Sequence, residues 1–219
     1  LNVFTEDEIY ANQHDKKDNK TFFPSHNDYL MLSEEKLASI RLLVGHVPYA
    51  IGNILPRNVH RLTFLRNPRE RVISHLAFAH QRFPLVKGQS IEQLFHQVKI
   101  QQLTNSQVVY FADNDPFDLQ YFKRQAALDD RAVRQAVENV RSCGFVGIVE
   151  EFDTSVRLIE KMFGWELGQI PFKNKSSNRY KVKIPDSVLE EIDEITKLDW
   201  IIYEAAKERF QFLKETFLK

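Results

Sequence analysis

The sequence predicts an α/β domain of three layers, a central parallel sheet flanked by helices. Three observations carry that expectation. Two apolar strand segments, 40–44 and 60–65, lie close together in the chain, and a third, Gly144 to Val149, follows a long helical pattern. Helical stripes alternate with these segments, most of them opened by a capping residue. A chain of 219 residues with 43% hydrophobic side chains is long enough to bury a core and short enough to form one domain over 1–219.

The elements follow in order. The polar stretch from Asn12 to Lys20 is expected as a surface loop or flap. Ser33, followed by Glu34, Glu35 and Lys36, opens a short helix, and Ile40 to Val44 reads as a buried strand ending at Gly45 and His46. His60 to Leu65 is a second strand, stopped by Arg66, Asn67 and Pro68. From Pro68 to about Arg82, Val72, Leu76 and Ala79 fall on one helical stripe. Ser90 opens a helix through Val98. Asp129 and Asp130 open one striped by Ala132, Val133, Ala136, Val137 and Val140. In the strand from Gly144 to Val149 the two glycines imply close packing. Asp153, Thr154 and Ser155 are expected to cap a helix that reaches Gly164. Pro185 and Asp186 start a final pair of helices, 188–197 and 199–218.

Composition excludes several function classes. Thirty Lys and Arg balance 30 Asp and Glu, so the net charge is zero and a general affinity for nucleic acid is not expected. No run approaches the roughly 20 apolar residues that span a bilayer. Cys143 is the only cysteine, which rules out an intrachain disulfide and a cysteine-based metal site. In its apolar setting it is expected as a small buried residue, and a reducing compartment is mildly favoured. No His, Asp or Glu spacing suggests a metal site.

Positive charge is nevertheless concentrated locally. Arg57, Arg61, Arg66, Arg69, Arg71 and Arg82 fall in one window whose only acid is Glu70. At its centre Asn67 suits an N-cap, Pro68 the first helical position and Glu70 the capping-box carboxylate. A helix that starts directly after a parallel strand turns unpaired N–H groups and a positive dipole end toward the crevice where α/β folds bind ligands. The residues alone allow an anion site, with guanidinium forks suited to phosphate, or an amphipathic helix with solvated arginines.

The segment Arg66-Asn67-Pro68-Arg69-Glu70-Arg71-Val72-Ile73-Ser74 resembles the 3′-phosphate-binding motif of sulfotransferases that use 3′-phosphoadenosine 5′-phosphosulfate (PAPS). The preceding Gly45-His46-Val47-Pro48-Tyr49 looks like the carbohydrate-type branch, especially the heparan sulfate 2-O-sulfotransferase group and its bacterial relatives. Gly144 to Ser155 is similar to the family's central strand and helix, and Asp199 to Glu204 with Arg209 and Phe210 to its C-terminal helix. The likeness runs from about residue 40 to 212. It implies a P-loop-like sulfotransferase fold and transfer of a sulfuryl group from PAPS to an acceptor hydroxyl, on a glycan, without a metal. Arg66 and Ser74 are implied to bind the 3′-phosphate, Arg71 to support the fold by pairing, and His46 to be the general base, a role suited to a group with an ordinary pKa of about 6.5. His75 and His80 are rivals for that role. The basic loop 172–181 sits where relatives place a loop over the nucleotide, and Lys175, Ser177 and Arg179 are its candidate phosphate ligands; a solvated connector is the alternative. Phe78, Arg82 and Phe83 are candidates for the acceptor cleft.

One family element has no counterpart. None of the seven glycines belongs to a P-loop-like phosphosulfate segment, since none precedes Lys-Ser/Thr or Thr-Thr/Ser. The expectation is therefore a single sulfotransferase domain lacking its N-terminal strand and phosphosulfate loop. A non-catalytic anion- or glycan-binding domain of the same fold is the alternative. A kinase is disfavoured, because neither a Walker-type lysine nor acidic magnesium ligands are visible. A bacterial cytoplasmic enzyme is favoured over a Golgi-luminal one.

Overall fold

The computed structural model describes residues 9–10, 13–15, 20–22, 26–82, 88–99, 103–119, 121–122, 128–167 and 184–219. Strands are β1 (Ile9–Tyr10), β2 (Gln13–Asp15), β3 (Lys20–Phe22), β4 (Leu42–Leu43), β5 (Leu62–Leu65) and β6 (Phe145–Ile148). Helices are α1 (His26–Leu30), α2 (Glu34–Ser39), α3 (Pro68–Arg82), α4 (Ile91–Val98), α5 (Asp130–Ser142), α6 (Phe152–Phe163), α7 (Asp186–Ile195) and α8 (Lys197–Phe217). Tight 3₁₀ turns occupy Tyr49–Ile54, Val108–Tyr110 and Val149–Glu151.

Parallel pairing is present, but not as one central sheet. Among the described residues the strands form three pairs: β1 with β4 parallel, β5 with β6 parallel, and β2 with β3 antiparallel. The third pair corrects the loop expected at 12–20, because Gln13, His14 and Asp15 stand opposite Phe22, Thr21 and Lys20 in a hairpin. The buried strand expected over 40–44 shrinks to Leu42–Leu43, with Arg41 and Val44 exposed. A cavity lies along this segment.

The main core gathers on β5 and β6. All four residues of β6 are buried, the continuous apolar pattern of a parallel strand covered on both faces. Val140 from α5, Leu158 from α6 and Ile202, Ala206 and Phe210 from α8 close over it. Gly147 is required here: a Cβ would fall 2.5 Å from the Phe64 ring. A second core joins Val72 and Leu76 of α3 to Leu94 and Phe95 of α4 and Val188 and Ile192 of α7. A third packs Tyr29 against Ala50, Ile51 and Leu119.

Local capping follows the sequence closely. Ser33 accepts from Lys36 N–H, Asp129 accepts from Ala132 N–H, and Ser90 and Gln93 form a reciprocal capping box. Gly164 ends α6 at φ 65°, the left-handed C-cap that glycine adopts without strain. The cap expected from 153–155 is different. Helix α6 begins at Phe152 with no side-chain cap. Ser155 is instead fully buried and bridges back to β6, accepting from Ile148 N–H at 3.1 Å and donating to Ile148 C=O at 3.2 Å. The final helices start two residues earlier than expected in each case.

Candidate functional site

The site is built where β5 runs into α3. Asn67 caps the helix as its sequence requires, its Oδ1 accepting from Glu70 N–H at 3.1 Å. The capping-box partner is not Glu70: Asn67 N–H donates to Glu150 Oε1 at 3.1 Å. Glu150 follows β6, which lies beside β5, so the parallel pairing delivers its carboxylate to the N-terminal end of α3. Its Oε2 accepts from Tyr203 O–H at 3.1 Å, and its Oε1 faces Arg66 Nε at 3.9 Å. Burial, reinforced by the charge of Glu150, pushes the Tyr203 phenol well above its ordinary range. The anionic position at this helix terminus is thus partly taken by a side chain of the protein itself.

A second hub lies on the other side of Arg66. Its N–H donates to Gln107 Oε1 at 3.1 Å and its C=O accepts from Gln107 Nε2 at 2.9 Å. Gln107 is itself held from behind, because the main-chain N–H groups of Gln107 and Val108 donate to Asp199 Oδ1 at 2.9 and 2.8 Å. Asp199 is 1% exposed. Burial raises its pKa to about 7, against the opposing pull of those main-chain donors and of Arg71.

The arginine window separates into two kinds. Arg57 bonds Ala38 C=O, and Arg61 bonds Tyr49 C=O and Asn53 while lying 4.2 Å over the Tyr49 ring. Arg69 forms a two-pronged pair with Asp193 of α7, which holds the Asp193 carboxyl below its usual range. These three are engaged in the fold. Arg71 differs: its Nη1 is buried without a hydrogen-bond partner among the described residues, and the side chain lines a cavity of about 1170 Å³. The expected structural pairing of Arg71 is therefore incomplete. Asp199 and Tyr110 feel its charge, yet one guanidinium nitrogen stays buried without a hydrogen-bond partner among the described residues.

The same cavity is lined by His46, exposed just beyond β4, and by Gln107 and Tyr110. The turn before His46 is fastened by Tyr29 O–H donating to Val44 C=O at 3.3 Å. Arg66 directly follows Leu65, a lining residue, and Ser74 lies half-buried one turn beyond Arg71 on the same face of α3. The structure thus brings His46 and Arg71 to one cavity and sets Arg66 and Ser74 near it along the chain, outside its lining. Of the rival histidines, His80 is engaged through Nε2 with Gln89 C=O at 3.2 Å, and neither it nor His75 lines the cavity. Lys175, Ser177, Arg179, Phe83 and the Arg82 side chain lie outside the described residues. Phe78 is exposed on α3. Cys143 is buried, and burial pushes its thiol up to about 12, which leaves it inert.

Glu150, Gln107 and Tyr203 are the residues that sequence reasoning missed. Glu150 carried one available signal, a carboxylate directly after an apolar strand; Gln107 carried none, lying in a stretch without periodicity. Among the described residues no group of three or more His, Cys, Asp or Glu is placed to hold a metal ion, and no helix is long and apolar enough to cross a membrane. No protein-family model, curated protein or solved structure matches the chain.

Proposed function

We propose that the chain is a sulfotransferase domain of three-layer, P-loop-like fold that moves a sulfuryl group from PAPS to a hydroxyl of a carbohydrate, in a bacterial cytoplasm. The observation that carries this reading is the Arg66-to-Ser74 junction, a helix N-terminus directly after a parallel strand, beside a cavity lined by His46 and by Arg71, whose buried Nη1 has no partner among the described residues. What supports an anionic nucleotide is that Arg71 has an unsatisfied nitrogen, that Arg66 and Ser74 lie near it along the chain, and that arginine suits phosphate oxygens. Glu150 limits that fit at the helix terminus itself, which favours an anion held on the Arg71 and Ser74 face over one seated against the first main-chain N–H groups.

In this reading His46 accepts the proton of the acceptor hydroxyl as the oxygen attacks sulfur. The bond from sulfur to the bridging phosphate oxygen breaks as the new sulfur–oxygen bond forms, and the electron pair leaves with adenosine 3′,5′-bisphosphate. Arg71 and Arg66 hold negative charge in place throughout, which costs little reorganisation in a fixed site. Transfer also requires a phosphosulfate loop, and none occurs in these 219 residues. That absence is what favours the second reading, an anion- or glycan-binding domain without transfer activity.

Two measurements separate the readings. Adenosine 3′,5′-bisphosphate raises the Tm if the chain holds the nucleotide, because any ligand of the native state does so; no shift at millimolar nucleotide sinks the cofactor assignment. Labelled PAPS with a glycan panel then reports transfer. Where transfer occurs, His46→Ala lowers turnover about 10²- to 10⁴-fold with nucleotide binding retained. Unchanged turnover returns His46 to a structural role.

A further inference from the structure

Asp199 is the third residue of α8 and Arg71 the fourth of α3. Each keeps one buried polar atom without a hydrogen-bond partner among the described residues, Oδ2 of the acid and Nη1 of the guanidinium. The two groups lie within reach of one another's charge, yet no hydrogen bond joins them. Among the described residues Arg71 is the one charged side chain that bears on Asp199. Tyr110, from the 108–110 turn, faces Arg71, and Tyr203, one turn further along α8, is directed to Glu150. A buried carboxylate persists where a cation and hydrogen bonds compensate it. Here no donor among the described residues reaches Oδ2, which is the arrangement of the neutral acid.

The two oxygens of Asp199 act separately. Oδ1 accepts from the N–H groups of Gln107 and Val108 at 2.9 and 2.8 Å, and the Gln107 carboxamide brackets the main chain of Arg66, so this half of the side chain ties α8 to the end of β5. An asparagine would accept the same two bonds without burying an acid. What the acid adds is Oδ2, a position that gains or loses a proton opposite an arginine. That arginine lines the cavity together with Ser106, Gln107 and Tyr110, the stretch that Asp199 holds. One guanidinium therefore stands between a buried acid and the space of the proposed anion, and two negative charges compete for it.

We propose that Asp199 is a positioning residue whose proton decides which anion Arg71 serves: the neutral acid leaves the guanidinium to a phosphate of the nucleotide, and the ionised acid draws it back. This rests on the nucleotide reading above. A phosphate on Arg71 occupies the countercharge of Asp199 and adds negative charge near it, so the bound state holds the Asp199 proton to higher pH than the empty one. The empty chain holds it to about pH 7. Above that pH the empty site is ionised, binding takes a proton from solvent, and release of the nucleotide returns it. Affinity therefore falls as pH rises. The phosphates, whose second pKa is about 6, are already ionised there and contribute no slope of their own.

Calorimetry of adenosine 3′,5′-bisphosphate binding to the 219-residue chain, in buffers of different ionisation enthalpy, counts that proton. At pH 7.5 the wild type should take up about half a proton per nucleotide, and its affinity should fall at least about threefold from pH 7 to pH 8.5. Asp199→Asn, which keeps both main-chain bonds, should take up less than about one-tenth of a proton and change affinity less than about 1.5-fold. His46 and His60 also line the cavity, and histidine titrates near neutral pH; His46→Gln and His60→Gln should each retain the uptake. Nucleotide bound without uptake by the wild type, equal uptake by Asp199→Asn, or uptake lost in a histidine variant overturns the proposal and leaves the nucleotide site standing. No binding by the wild type at any pH from 6.5 to 8.5 removes the nucleotide reading and the proposal with it. If Asp199→Asn does not fold, the carboxyl carbon resonance of Asp199 in the wild type replaces it: saturating nucleotide should move its titration to higher pH, and an unmoved titration overturns the proposal.

Discussion

Replacing Asp199 with Asn should change how stability depends on pH, and the structure gives both sign and size. Asp199 is 1% exposed, and its Oδ1 accepts from two main-chain N–H groups. An amide oxygen can accept the same two bonds, so the Asn variant keeps the 106–108 segment in place. The folded chain holds the Asp199 proton to about pH 7, against 3.8 for the free side chain. Between those values folding takes up a proton, so the wild type loses stability relative to the variant as pH rises from about 4 to about 7, with no further change above. At about 1.4 kcal/mol per unit the difference grows by on the order of 4 kcal/mol, an upper figure because Arg71 lies within reach of the charge. Urea unfolding of both proteins at half-unit pH steps reads it directly. A difference that stays flat, or that moves in favour of the wild type as pH rises, refutes the reasoning and shows that Asp199 folds as a carboxylate stabilised by Arg71 and the main-chain donors.

Further outcomes follow from other contacts. Glu150→Gln keeps one of the two acceptor oxygens that Asn67 N–H and Tyr203 O–H share and removes the charge facing Arg66; calorimetry should find adenosine 3′,5′-bisphosphate bound more tightly by up to about fivefold, as befits a carboxylate more than one-third exposed. Arg69→Ala and Asp193→Ala should couple by no more than about 1 kcal/mol in a double-mutant cycle of unfolding free energies, because both side chains are about four-tenths exposed. Neither should alter nucleotide binding; weakened binding in Arg69→Ala would put that guanidinium at the site.

What was legible in the sequence was local. Ser33, Asn67, Ser90 and Asp129 all cap as read, because an N-cap bond spans three residues and its donor and acceptor are both visible in one short window. The stripe of α5 is buried as read, since Ala132, Val133, Ala136 and Val140 obey the helical period. The strands of the sheet were legible as segments and not as a sheet. Whether Leu42–Leu43 and Leu62–Leu65 become neighbours is decided by what stands between them, and their residues are apolar either way.

The site divides along the same line. The Arg66 junction could be read because strand end, cap and helix start are consecutive. Glu150 and Gln107 could not, because they reach that junction from 83 and 41 residues away. Their effects also oppose one another. Gln107 completes the main-chain bonding of Arg66 and so fixes the end of β5, whereas Glu150 places negative charge where the sequence alone allows either an anion site or a helix with solvated arginines. An arginine-rich helix start is thus an anion site only to the extent that the fold leaves its donors unclaimed. Of the six arginines in the window, Arg57, Arg61 and Arg69 are claimed by Ala38, Asn53 and Asp193. Arg71 keeps a buried Nη1 with no partner among the described residues. In the proposed reading, Arg71→Ala should therefore weaken nucleotide binding more than any substitution of the three arginines that are engaged.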